Sequence, residues 1–281
     1  MGMIHYTPSG VRLTEHIRRP GNLNWLFLPG GPGIGSESLT GLVDLLEVPG
    51  TSWLVDLPGD GSNVEGPGIL DDPFRHWPNV LTEAAGTVAN PVFVGHSTGG
   101  MYLLATAELE QLLVGLVLIS TAPDASWLPA FTTMTEQNPL PQVELTTARY
   151  ESEPTNENLA AVAVASTPWN FGTTTLETGA KFLATMPYNG AAVAWSEENF
   201  DHDYEYAWWP TLIPTLIVSG SEDRIVTQEL WNDKRFTGNN IHHARIERGA
   251  HFPWFENPAA VKATFEKYSE SLARAMLESP Y

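Results

Sequence analysis

Ser97 stands in the run Asn90-Pro91-Val92-Phe93-Val94-Gly95-His96-Ser97-Thr98-Gly99-Gly100-Met101, where a short apolar stretch meets G-x-S-x-G and then a helix-like stretch. That order suits a serine lifted off a strand end into a cleft while the chain turns sharply into a helix. Side chains at Gly95 or Gly99 would clash with the neighbouring strand and helix, and small Gly100 lets the helix start close to the sheet. The competing reading is a Gly-rich turn with an inert serine. A serine hydroxyl is a poor nucleophile near neutral pH and needs a base within hydrogen-bond reach. His251, in Gly249-Ala250-His251 after a short strand pattern, is the candidate base. Asp223, in Ser219-Gly220-Ser221-Glu222-Asp223 just past an apolar run, is the candidate acid that would fix the histidine tautomer. The order Ser, acid, His along the chain fits such a scaffold. Asp124, which follows the strand-like run Val114–Ser120, is the rival acid. The bland alternatives are a histidine capping the helix after it and an aspartate capping the turn ahead of Val226.

Acyl transfer also needs donors for the oxyanion that develops on the carbonyl. The backbone N–H of Thr98 points into the same cleft as the Ser97 hydroxyl. The loop after the strand Trp25–Leu28 should supply a second donor. Pro32 has no N–H, which leaves Gly30 or Gly31, and Gly31 is the choice. The plain alternative is a tight loop with no ligand. His96 is expected to pack or hydrogen-bond beneath the nucleophile.

These residues need strand ends to carry them. Strand-like runs fall near Val11–Ile17, Leu23–Leu28, Trp53–Leu57, Val92–Gly95, Val114–Ser120, Thr215–Ser219 and Ala244–Glu247. Helix-like stretches at Leu39–Leu46, Phe74–Val88, Met101–Leu112, Gln228–Phe236 and Pro258–Leu277 alternate with them. Such alternation predicts an α/β fold with a mostly parallel central sheet flanked by helices. The stretch 122–209 breaks the rhythm with prolines such as Pro129, Pro139, Pro141, Pro154, Pro168 and Pro187 and helical patterns at Glu157–Ser166 and Leu176–Met186. It is expected to form a helical cap inserted into a core made of residues 1–121 and 210–281.

With these residues in view, the chain resembles the α/β-hydrolase fold superfamily over nearly its whole length. The resemblance is carried by Leu28-Pro29-Gly30-Gly31-Pro32-Gly33, by Asp56-Leu57-Pro58-Gly59-Asp60-Gly61-Ser62, by the Ser97 turn, and by the Asp223 and His251 loops. Gly30-Gly31-Pro32-Gly33 looks most like the proline iminopeptidase branch, and some esterases and lactonases share it. That branch usually has a histidine where this chain has Pro29, and G-H-G where it has Gly59-Asp60-Gly61. The resemblance implies a serine hydrolase. Ester hydrolysis is the first expectation and aminopeptidase activity on small N-terminal residues the second. Carbon–carbon bond hydrolysis and acyl transfer to another acceptor belong to the same scaffold. From a different class comes a ligand-binding protein that keeps the three residues without turnover.

Composition bounds the rest. The 281 residues can bury a large core and suit one α/β domain with an insertion. There is no cysteine, so no disulfide, thiol nucleophile or Cys-ligated metal is possible. The run Met1-Gly2-Met3-Ile4-His5-Tyr6 does not resemble a signal peptide or a myristoylation site, and no apolar run approaches the ~18 residues of a membrane span. A cytoplasmic protein is expected. The net charge of −19 repels phosphate backbones and anionic membranes, which leaves a small-molecule substrate as the expected partner. H-E-x-x-H, phosphate-loop and dinucleotide patterns are missing, so no metal or cofactor is expected; Asp201-His202-Asp203 reads as a solvated acidic loop. In the cap, twelve carboxylates face only Arg149 and Lys181. Trp127, Trp169 and Trp195 are expected to line an apolar pocket above Ser97. Iminopeptidases of the resembled branch use cap carboxylates to hold a free amine, a role open here to Glu197 and Glu198; a solvated helix end is the alternative.

Overall fold

The structure is a computed structural model that describes residues 2–278. Its strands are β1 (Ile4–Tyr6), β2 (Arg12–Arg18), β3 (Asn24–Leu28), β4 (Thr51–Asp56), β5 (Pro91–His96), β6 (Gly115–Ile119), β7 (Thr215–Gly220) and β8 (Ile241–Ile246). They form one sheet in the order β1-β2-β4-β3-β5-β6-β7-β8. β1 and β2 run antiparallel, and every pairing from β4 to β8 is parallel.

Strand periodicity divides the core. On β3, Trp25 and Phe27 face one layer while Leu26 and Leu28 face the other; β6 repeats this with Val117 and Ile119 against Leu116 and Leu118. The first layer is covered by α1 (Thr40–Leu45) and the second by α2 (Trp77–Gly86) and α3 (Thr98–Ala105). α2 turns Trp77, Val80, Leu81 and Ala84 inward, the i, i+3, i+4, i+7 stripe of an amphipathic helix.

Between β6 and β7 the chain forms α4 (Trp127–Gln137), α5 (Pro141–Ser152), α6 (Asn156–Ala165), α7 (Thr167–Asn170), α8 (Leu176–Leu183) and α9 (Gly190–Asn199). After β8 come α10 (Pro253–Glu256) and α11 (Pro258–Glu278), the latter closing the first layer with Val261, Phe265, Tyr268 and Leu272.

Three local readings differ from expectation. Gln228–Phe236 is not an α-helix but two short 3-10 turns, because the Asp233 carboxylate between them takes the Arg235 amide at 2.8 Å. The run Met101–Leu112 breaks at Thr106, whose hydroxyl bonds back to the Tyr102 carbonyl at 2.9 Å. β8 starts at Ile241, three residues before the expected strand, since an edge strand tolerates the exposed His242 and His243.

The sheet order itself makes the cleft. The chain leaves β3 towards β4 on one side, and leaves β5 towards β6 on the other. The loops after β3 and β5 therefore diverge, and a crevice opens at their carboxyl ends.

Trp77 locks this arrangement: it is 1% exposed and packs on Tyr102 of α3 at 4.7 Å and on Trp195 of α9 at 5.2 Å. Trp77→Ala is expected to cost about 3–5 kcal/mol, measured as a shift of the urea unfolding midpoint at unchanged m-value.

Candidate functional site

Ser97 follows the last residue of β5 and takes φ 52° and ψ −128°, a backbone conformation that L-residues rarely adopt. Its surroundings leave it no alternative. A Cβ on Gly95 would lie 2.6 Å from Cα of Gly100, and one on Gly30 would lie 2.5 Å from Cβ of Ser97. The Ser97 amide is tied to the Ile119 carbonyl of β6 at 2.9 Å. The hydroxyl is thus presented at the crevice between β3 and β5, on a residue only 7% exposed.

Asp223 and His251 arrive from the loops after β7 and β8. Nε2 of His251 lies 3.1 Å from the Ser97 hydroxyl, and Nδ1 lies 3.1 Å from both carboxylate oxygens of Asp223. Since Asp223 can only accept when ionised, Nδ1 carries the proton and Nε2 is left to accept from serine. The Asp223 side chain is fully buried, and its Oδ1 also takes the amides of Ile225 at 2.9 Å and Val226 at 3.1 Å. The expected turn-capping role and the charge-orienting geometry therefore coexist in one carboxylate. Asp124 stays apart, turned to the Ser126 amide at 3.0 Å and to the Ser126 hydroxyl.

The His251 loop is fastened to α7 and α8. His251 donates its backbone amide to the Asn170 carbonyl at 3.2 Å. Glu256 takes the Ala250 amide at 3.2 Å, the Gly172 amide at 3.0 Å and the Thr175 hydroxyl at 2.7 Å. Sequence reasoning missed Glu256; its one visible signal is a carboxylate five residues past the histidine.

Thr98 begins α3, so its amide has no partner within the helix. Its hydroxyl donates to the Gly31 carbonyl at 3.0 Å, which brings the two expected oxyanion residues together across the crevice.

His96, expected beneath the nucleophile, packs against His251. Its ring is 4.9 Å from that of His251, and its Nε2–H donates to the His251 carbonyl at 2.9 Å. Burial, reinforced by the neighbouring His251, lowers its pKa to about 3.

The cleft above Ser97 has room for about 210 Å³. Its apolar walls are Ile34, Leu159 and Ala163 of α6, Leu183 of α8, Tyr188, Val193 of α9, Ile225 and Phe252, and Ser166, Asn170 and His96 are its polar members beside Ser97 and His251. Here the expectation of an aromatic, acidic pocket is corrected. Trp127, Trp169, Trp195, Glu197 and Glu198 do not line it. Trp127 and Trp169 pack on Phe131 at 6.1 and 5.9 Å, and Trp195 packs on Trp77. The Trp127 contact lies within α4, whereas Trp169 joins α7 to α4 and Trp195 joins α9 to α2. Glu197 and Glu198 sit exposed on α9. Among the described residues no cluster of three or more His, Asp or Glu side chains is arranged to hold a metal, Asp201-His202-Asp203 included. No described helix is long and apolar enough to cross a membrane.

A sequence model of the alpha/beta hydrolase family matches residues 25–264, and the chain belongs to that family. It is a hydrolase on that ground. Solved structures share its fold. A thermophilic esterase from Thermogutta terrifontis is 18% identical, with 96% of this chain and 99% of that one covered at a TM-score of 0.69. A proline iminopeptidase-related protein from Thermus thermophilus is 19% identical, with 98% and 99% covered and a TM-score of 0.70. An alpha/beta fold family hydrolase from Bacillus anthracis str. Sterne is 16% identical, with 98% and 99% covered and a TM-score of 0.70. No curated protein matches the chain.

The buried His96 makes stability depend on pH. Its folded pKa lies near 3, below the usual imidazole value of about 6.5. The unfolded chain therefore binds the extra proton first, and stability present above about pH 6.5 is lost as pH falls towards 3. The slope contributed is at most about 1.4 kcal/mol per pH unit. Urea titrations between pH 4 and 7 should show a flatter dependence for His96→Asn than for the unaltered protein.

Proposed function

We propose that the chain is a serine hydrolase that cleaves esters of uncharged substrates through an acyl-enzyme. The observation that carries this reading is the unbroken line from Asp223 through His251 to Ser97, with contacts of 3.1 Å at each step. In the first half, the Ser97 oxygen attacks the carbonyl carbon as its proton passes to Nε2 of His251. Asp223 stabilises the imidazolium. The Thr98 and Gly31 amides receive the oxyanion, and the departing alkoxide takes the proton from His251. In the second half, water gives its proton to His251 and its oxygen to the acyl carbon; Ser97 leaves with the proton restored. The helices between β6 and β7, within the boundaries 122–209, act as a cap that keeps water away from this exchange.

Ester specificity is supported by the pocket walls. They are mostly aliphatic, and no carboxylate stands among them to receive a free amine. The exposed positions of Glu197 and Glu198 point the same way. The iminopeptidase-like reading needs an anionic subsite, which this cleft does not offer.

The reading is tested by labelling with a fluorophosphonate probe and by assay with p-nitrophenyl esters and aminoacyl arylamides. Ser97→Ala should lose both labelling and turnover and remain folded. Labelling that persists in that variant would refute the nucleophile. Free-amine substrates should turn over no better than their acetylated equivalents. Absence of turnover across the panel, together with tight retention of a small apolar ligand, would assign a binding protein instead.

The acid has its own test. Asp223→Asn should lower kcat by roughly 10⁴, as loss of the correct tautomer does in a serine protease, while Asp124→Asn stays near the unaltered rate. A reversed pattern would make Asp124 the acid.

A further inference from the structure

The segment Pro29–Gly35 has to hold an oxyanion donor in place, yet its composition works against order. Four of its seven residues are glycine, and Pro32 has no amide to anchor. A donor is useful only at about 2.7–3.1 Å from the developing charge. Something outside the loop must therefore hold it. At its near end Gly30 is pressed on Ser97, and at its far end Asp56 takes the Ser36 amide at 2.8 Å and the Ser36 hydroxyl at 2.7 Å. The middle, at Gly33, is held differently.

There the Gly59-Asp60-Gly61 turn lies against the loop. A Cβ on Gly61 would stand 2.4 Å from Cα of Gly35, so the two backbones touch. The Asp60 side chain is enclosed between them, on a residue only 5% exposed. Its Oδ1 takes the Gly61 amide at 2.7 Å, which fixes the turn that lies on Gly35. Asn189 bridges both turns from the other side. Its amide donates to the Gly33 carbonyl at 2.8 Å, its Nδ2 donates to the Gly59 carbonyl at 2.5 Å, and its Oδ1 caps α9 through the Ala191 and Ala192 amides. Val193, one turn into α9, is a wall of the cleft.

We propose that Asp60 is a positioning residue which, with Asn189, clamps the Gly30–Gly35 loop so that the Gly31 amide stays aimed at the carbonyl oxygen over Ser97. The inference rests on the acyl-enzyme reading above. Asp60 touches no reacting atom; it acts through the loop. Its role is that of a hydrogen-bond acceptor. Burial raises its pKa to about 7 against the pull of the Gly61 amide, so a full negative charge is not required of it near neutrality.

The test compares Asp60→Ala and Asp60→Asn in the full chain, with p-nitrophenyl butyrate as substrate and thermal unfolding as the control for folding. Asp60→Ala should lower kcat by about 10–100-fold with KM within about threefold, because a misplaced donor is felt only as charge develops; outright loss of one donor costs on the order of 10²–10³. Asp60→Asn keeps the acceptor oxygen and should recover kcat to within about fivefold. A kcat unchanged in Asp60→Ala overturns the proposal. So does equal impairment of both variants, which would make charge the operative property. If Asp60→Ala does not fold, Asp60→Leu fills the space without the acceptor and replaces it in the comparison. Failure of both to fold, beside an unaffected Asp60→Asn, assigns the residue to folding alone and also overturns the proposal. Failure of the underlying reading looks different: the unaltered protein would neither turn over the ester nor label at Ser97.

Discussion

The backbone crowding beneath Ser97 is the constraint on which the rest of the structure depends. β5 must run into α3 within one residue, and that residue must carry the hydroxyl at a positive φ. Such a conformation costs on the order of 1–3 kcal/mol and persists only where the surroundings leave no relaxed alternative. The surroundings here are β3 and β6 on either side, both buried on both faces, and the contact of Gly95 with Gly100. The strain sits in the stiffest part of the sheet. It is set by packing of Phe93, Val94 and Leu103, none of which meets a substrate.

Burial of ionisable groups is the second demand. Asp223, His251, Asp56 and Asp60 all lie out of solvent, where an unpaired charge is costly. Each has named partners. Asp56 has Arg12 at 2.8 Å as well as Ser36, Asp60 has the Gly61 amide, and Asp223 has two amides besides the imidazole. These bonds orient the loops while satisfying the groups. Part of the net charge of −19 has a different location: the α9 carboxylates Glu197 and Glu198 face solvent, while no carboxylate lines the cleft. That surface keeps anions and like molecules at a distance, and its reach is screened over about 10 Å at 0.1 M salt.

The helices between β6 and β7 are tied to the reaction centre from two sides. Glu256 joins the His251 loop to Gly172 and Thr175, and Asn189 joins the two glycine turns to α9. Aromatic contacts complete the attachment: Phe171 stacks on Phe252 at 5.1 Å, and Trp195 rests on Trp77. The pocket walls and the Ser97–His251–Asp223 line are thus parts of one packed unit.

Much of this was legible in the chain. Strand spacing and the G-x-S-x-G turn place Ser97, Asp223 and His251 at three strand ends, because buried strands need apolar runs and sharp exits need glycine. The pairing of Gly31 with Thr98 across the crevice follows from the same local rules. The pocket was not legible. An aromatic residue looks alike in sequence whether it faces a ligand or another helix, so Trp127, Trp169 and Trp195 were assigned to a wall they do not form. Leu159, Ala163, Leu183 and Val193 carry no chemical mark at all, yet helix docking brings them over the serine. Asp223 and Asp124 are equivalent by composition. The spacing Gly220-Ser221-Glu222-Asp223 favours the former, and tertiary structure separates them physically, by bringing one carboxylate within 3.1 Å of the His251 ring and turning the other to its own Ser126. Local spacing determines which residues can leave a strand end; the choice among those residues is made by long-range packing, which short-range pattern does not encode.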